Sequence, residues 1–185
     1  MLGRARRQVF GFPSSSGELS KHYHERRLLG WSREQLFEVV TDVDKYVEFV
    51  PWCQKSKVLC RKPGYVEAEL EVGFKLFVER YTSQVWLHPP GKVVSKVADS
   101  TLFDHLDSTW DFKPGPSPDL TWLTFNVDFA FKSQLYTHVA SVFFDEVVKR
   151  MMSAFEQRCR QLYGPSALEQ KARLQKNRVQ AGKVC

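Results

Sequence analysis

Three things are scarce in this 185-residue chain, and each scarcity narrows what it does. Long apolar runs are missing. None approaches the roughly 18 residues that a membrane-spanning helix needs, so no such helix is expected. Cysteine is sparse. Cys53, Cys60, Cys159 and Cys185 match no zinc or redox spacing, which leaves free thiols in a reducing compartment as the expectation. The signatures of catalysis are absent: there is no Gly-rich phosphate loop, no Gly-x-Ser-x-Gly elbow and no metal-ligand spacing. Histidine is scattered over His22, His24, His88, His105 and His138. His22 and His24 would share one strand face, but no third metal ligand is indicated nearby. Asp104-His105 has no nucleophile beside it in sequence. No catalytic residue and no metal site are therefore expected.

What is present reads as one domain. Hydrophobic residues make up 43% and charged residues 26%, a balance that argues for a globular core and against disorder. The formal charge is +6, and its location matters more than its size. Arg4, Arg6 and Arg7 precede the first acid, Glu18. Lys171, Arg173, Lys176, Arg178 and Lys183 face a single Glu169. Residues 1–19 read as a basic, flexible N-terminus. Its composition fits either a remnant of a mitochondrial transit sequence or chance. Residues 20–164 read as the folded domain and 165–185 as a basic C-terminal tail.

The strongest periodic signal runs from Ser133 to Tyr163. No Gly or Pro interrupts it, and Gly164-Pro165 stops it. At 100° per residue Tyr136, Ala140, Phe143, Phe144, Val147, Val148, Met151, Ala154, Phe155 and Leu162 form one broad apolar arc. A second, shorter helix starts at Ser32, with Gln35 completing a capping box and Trp31 and Leu36 placed as a hydrophobic staple. Asp42 and Asp44 disturb its stripe, and Pro51 forbids continuation.

Elsewhere the period is two. Candidate strands cover Ser20–Leu29, Gln54–Arg61, Tyr65–Val72, Phe74–Leu87, Lys92–Ala98, a segment through Trp110 and Phe112, and Thr121–Phe131. Val66, Ala68, Leu70 and Val72 alternate with Glu67, Glu69 and Glu71, which marks a sheet wet on one face. Successive strands with short turns imply an antiparallel meander, and its apolar face needs a cover. The predicted fold is α+β: a curved antiparallel sheet of about seven strands wrapped around a long C-terminal helix.

That order resembles the helix-grip fold of the START-like superfamily, which includes polyketide cyclases and lipid-transfer domains. Four stretches sharpen the resemblance: Tyr46-Val47-Glu48-Phe49-Val50-Pro51-Trp52-Cys53; Val72-Gly73-Phe74 followed by Glu79-Arg80-Tyr81-Thr82-Ser83; Trp110-Asp111-Phe112; and Phe125-Asn126-Val127-Asp128-Phe129-Ala130-Phe131. Over about Lys21 to Tyr163 the chain is similar to the mitochondrial coenzyme Q-binding proteins and their bacterial relatives. The resemblance implies a non-catalytic lipid chaperone with ubiquinone as its bound ligand and no catalytic cofactor. It implies peripheral attachment to the matrix side of the inner mitochondrial membrane, in support of respiration and quinone biosynthesis. Respiratory or quinone-biosynthesis complexes are the implied partners, and no nucleic acid is expected. Two other function classes remain open. An aromatase/cyclase-like enzyme would need acid/base groups converging inside the cavity. A ribosome- or RNA-associated module would need a basic patch on the folded core.

For a cavity between sheet and helix, the candidate lining is Phe49, Trp52, Trp110, Phe112, Phe125, Phe129, Phe143, Val147 and Met151. Stiff rings and adaptable Met suit an elongated apolar ligand, although the same residues suit a filled core. Phe74, Lys75 and Phe77 are the candidates for membrane contact, with rings in the interface and the ammonium by phosphate. Tyr46, Ser108, Asn126 and Glu79 are available to a quinone headgroup. Asn126 and Glu79 are expected to face solvent.

Overall fold

The computed structural model describes residues 20–74 and 77–181, and among these the side chains of 74, 77, 134–146 and 179–181 are left aside. The N-terminal segment 1–19, Lys75 and the side chains of Phe74, Phe77 and Phe143 therefore lie outside the described residues.

Strand β1 (Ser20–Leu29) leads into helix α1 (Arg33–Thr41), a single 3-10 turn (Val43–Lys45) and the short helix α2 (Tyr46–Phe49). Six strands follow: β2 (Cys53–Lys62), β3 (Tyr65–Phe74), β4 (Phe77–His88), β5 (Lys92–Asp99), β6 (Phe103–Pro114) and β7 (Thr121–Phe131). Helices α3 (Gln134–Tyr163) and α4 (Ala167–Ala181) complete the chain. All seven strands form one antiparallel sheet in the order β1-β7-β6-β5-β4-β3-β2. This is the helix-grip arrangement.

Local chemistry sets the boundaries of α1. The Ser32 hydroxyl accepts from the Gln35 N–H, and the Gln35 side chain accepts from the Ser32 N–H at 2.9 Å. Trp31 and Leu36 are both buried in the core. Beyond Thr41 the Asp pair breaks the helix: the Asp44 carboxylate accepts from the Val58 N–H at 2.8 Å and ties the 3-10 turn to β2.

The sheet buries one face. Val66, Ala68 and Leu70 on β3, Trp110 and Phe112 on β6, and Leu123, Phe125, Val127 and Phe129 on β7 are all under 9% exposed. Against this inner face α3 lays Val148, Met152, Phe155 and Cys159, spaced four, three and four residues apart. The apolar arc read from the sequence needs correction here. Leu162 is 52% exposed, and Met152 and Cys159, outside that arc, are 1% exposed.

Helix α3 stops at Gly164, whose φ of +82° suits a residue without Cβ. The basic segment after it contains α4, which the sequence reading did not draw. Ser166 caps it, exchanging hydrogen bonds with Glu169, and the Ala167 N–H donates to the Gly30 carbonyl at 2.9 Å. The approach is close: a Cβ on Gly30 would lie 2.7 Å from that of Ser166. From 170 to 178 every α4 side chain is exposed.

Candidate functional site

The inner face of the sheet divides into two parts. At the end where α1 meets it, the face is packed. Phe112, Phe125 and Leu123 are 2% exposed or less. Phe37 of α1 sits edge-on to Phe112 at 6.2 Å. An apolar gap lies among Leu36, Val40, Trp110, Leu123, Met152 and Phe155. Its empty volume is about 260 Å³ including the open mouth, and its enclosed part is about the size of one water.

On β4, β5 and the first half of β6 the same face is less covered. Leu106 and Ser108 on β6, Ser95 on β5 and Tyr81 on β4 are half-buried, although they share strand parity with the buried Trp110, Val93 and Val85. Partial exposure on the inward side of a central strand means space above it. Val147 and Met151 of α3 are half-buried as well.

A chain of rings links the packed part to α2. Trp110 lies 4.1 Å from Phe125 and 4.8 Å from Phe155. Phe155 then meets Phe49 at 5.1 Å and Tyr46 at 5.4 Å, both edge-on. The short helix α2 is thus anchored to the core through Phe155. In the same core, Phe129 meets Phe103 and Phe131, and Phe103 meets Tyr81.

At the end of α2 the chain turns sharply. Trp52 has φ +63°, a left-handed conformation that is costly for a residue with a large side chain. Its carbonyl accepts from the Gly73 N–H at 2.8 Å. That bond sets Trp52 beside the residue preceding Phe74, so the aromatic loop and the start of the β3–β4 hairpin share one end of the molecule. The Arg150 guanidinium lies 5.9 Å from the Trp52 ring, and Arg158 lies 5.3 Å from that of Phe49 while bonding Glu48 at 2.8 Å.

The polar candidates separate cleanly. The Tyr46 hydroxyl donates to the Val40 carbonyl at 2.6 Å. Asn126 lies on the outer face and bonds His24 at 2.6 Å. Glu79 is not solvent-facing: it is 5% exposed, and its carboxylate accepts from the Ser100 and Thr101 hydroxyls and from the Thr101 and Leu102 N–H groups. Burial would raise its pKa, but those donors outweigh it and hold the carboxyl below its usual range. Glu79 organises the β5–β6 turn. Ser108 alone remains on the inner face with room around it, and it pairs with Ser95 at 2.7 Å.

At the seam between β1 and α3, Arg27 bonds Glu25 and reaches Glu156 at 2.6 Å. Burial acts to raise Glu25, yet bonds from Tyr23 and Arg27 bring it below the usual carboxylate range. On the outer face His22 and His105 both approach Asp128, at 3.9 and 3.0 Å, and the bond to Asp128 is the main reason that His105 titrates above an ordinary histidine. Two of the histidines that look scattered in sequence, His22 and His105, are brought together by the β1-β7-β6 register. Among the described residues no group of three or more His, Cys, Asp or Glu has the geometry to hold a metal.

The sequence profile of the polyketide cyclase / dehydrase and lipid transport family matches residues 29–156. The chain is similar to coenzyme Q-binding protein COQ10 homolog B, mitochondrial, of Xenopus laevis, with 51% identity over 144 residues, 77% of this chain and 59% of that protein. It is 41% identical over 148 residues to the mitochondrial COQ10 of Drosophila melanogaster, covering 79% of this chain and 61% of the relative. The chain thus spans about three fifths of these relatives. Ribosome association toxin RatA of Pseudomonas aeruginosa is 31% identical over 146 residues, 79% of this chain and all of that protein. Among solved structures, the ZhuI aromatase/cyclase from Streptomyces superposes with a TM-score of 0.69 at 16% identity, over 77% of this chain and 96% of that one, which is a likeness of fold. The chain belongs to the polyketide cyclase / dehydrase and lipid transport family and, within it, to the coenzyme Q-binding proteins.

Proposed function

We propose that this protein binds ubiquinone between the inner face of its sheet and helix α3, and carries it as a lipid chaperone in support of respiratory electron transport and quinone biosynthesis. The observation that carries the reading is the division of the inner face. A ring-packed part shares the face with half-buried inward side chains on β4, β5 and β6, and Val147 and Met151 of α3 are half-buried too, which suits a flat ring and a greasy tail. The names of the relatives supply the ligand class. Apolar burial contributes on the order of 25 cal/mol per Å², but a bilayer is already apolar, so uptake from lipid is close to balanced, as transfer requires. The proposed location is the matrix side of the mitochondrial inner membrane, held peripherally through Trp52 and the hairpin of Phe74, Lys75 and Phe77. Among the described residues no helix is long and apolar enough to cross a membrane. No catalytic role is assigned.

A neutral core speaks against nucleic acid. Residues 20–164 carry 19 basic and 19 acidic residues, so the positive excess belongs to the two ends. One observation favours a second reading, a cyclase-like enzyme: Arg27 stands part-buried between Glu25 and Glu156. These groups are engaged with one another in ion pairs and hydrogen bonds, so the carrier reading is preferred. The test is to purify the protein from a quinone-producing host and extract it for mass spectrometry. Ubiquinone or another prenyl lipid at near-stoichiometric yield is expected, and its consistent absence would sink the proposal.

A further inference from the structure

Ser95 and Ser108 are register partners on β5 and β6, and their hydroxyl oxygens lie 2.7 Å apart. Strand parity puts both on the inner face, in line with Val93 and with Trp110. Val127, across from Ser108 on β7, is 5% exposed. On the other side, β4 adds Ser83 and Tyr81 to the same face, in the column that continues Val85. A diagonal row of hydroxyls therefore runs over three central strands: Ser108 faces Ser95, whose direct partner on β4 is Val85, and Ser83 lies one inward position further along β4.

Such a row carries a cost. Moving a hydroxyl from water to an apolar face is unfavourable unless it finds a partner, and Val or Ala in these strands would avoid the penalty. Within the pair one O–H is given to the neighbouring oxygen. The second O–H remains to be donated, and both oxygens keep acceptor capacity. The half-buried state of Ser95 and Ser108 shows that something the size of water reaches them. The other polar groups considered for a headgroup are engaged elsewhere: Tyr46 with Val40, Glu79 with the 100–102 turn, and Asn126 with His24 on the far side of the sheet.

We infer that the Ser95–Ser108 pair, flanked by Tyr81 and Ser83, is the subsite for the oxygenated ring of the ligand, with Trp110 as its apolar neighbour. This rests on the reading that the protein binds a quinone. The subsite is neutral and both donates and accepts. A quinone presents only acceptors, and a quinol presents donors as well. Rotating hydroxyls satisfy either, so the site holds both redox forms without preference. A fixed cation would favour one of them and a fixed carboxylate the other.

The experiment compares the full chain with its Ser95→Ala/Ser108→Ala variant and with Ser108→Thr, which keeps a hydroxyl on a strand-compatible residue. Each is titrated with ubiquinone, with ubiquinol and with squalene, an isoprenoid hydrocarbon that has no oxygen. Circular dichroism confirms that each variant is folded. The double variant is expected to bind ubiquinone and ubiquinol about three- to tenfold more weakly, the loss of a neutral hydrogen bond or two. Squalene binding stays unchanged, and Ser108→Thr stays near the parent. Unaltered quinone binding in the double variant, or an equal loss for squalene, would overturn the subsite alone. A parent protein that takes up none of the three ligands would overturn the carrier reading and the subsite with it.

Discussion

At the scale of residues, two side chains carry more of the architecture than their types suggest. Glu79 gathers four donors around the 100–102 turn. Replacing it by Gln removes the charge-assisted part of those bonds and is expected to cost about 1–3 kcal/mol, read as a lower urea midpoint. Because the Glu79 carboxyl is held below its usual value, it stabilises the fold above the unfolded pKa and loses that contribution as the pH falls through the folded one. The parent's melting temperature should therefore fall in the acid range below about pH 4, and that of Glu79→Gln should fall less. Phe155 is the junction of Trp110, Phe49 and Tyr46. Its replacement by Ala should cost about 3–5 kcal/mol in chemical denaturation. It should also loosen α2, seen as faster amide exchange over 46–49 than the global loss explains.

At the scale of elements, the junction of β1 with α4 is the most constrained. Gly30 admits no side chain against Ser166 and the backbone of Ala167. The Gly30→Ala variant should displace α4 while leaving the sheet intact. Limited trypsin digestion would then cut earlier in 171–178, with only a small fall in melting temperature; unchanged digestion would refute the docking. The strands were legible in sequence because alternating burial is written as alternating residue type, as in Val66 to Leu70. Helix α4 was not, because its side chains from 170 to 178 are exposed and have no apolar stripe to impose a period. Glu79 misled for a related reason. It has the parity of Tyr81, Ser83 and Val85, the inner face, and its charge suggested the outer one. The Ser95–Ser108 contact and the gathering of His22 and His105 on Asp128 depend on strand register, which a single sequence does not specify.

At the scale of the whole molecule, burial and charge are arranged along the chain as well as in space. Trp110, Phe112, Phe125 and Phe129 belong to one buried core cluster, Phe49 and Met151 pack against it, and Trp52 and Val147 are half-buried. Sequence pattern distinguishes inside from outside but not filled from hollow, since both call for the same apolar side chains. The excess charge sits on the ends flanking a neutral domain, so raising salt should leave the denaturation midpoint of the domain nearly unmoved. A shift of more than about 1 kcal/mol between low and physiological salt would contradict that picture.

The pairing of β1 with β7 has a consequence in time. Ser20 lies opposite Ala130 and Leu29 opposite Thr121. While the chain emerges from a ribosome, its first strand has no partner until Thr121, 92 residues after Leu29 (121 − 29), has been made. The meander from β2 to β6 can zip up hairpin by hairpin, but closure waits for the last strand and then for α3. A chain interrupted before Thr121 should remain protease-sensitive throughout and expose an unpaired strand at its start. One interrupted after Tyr163 has everything needed to close.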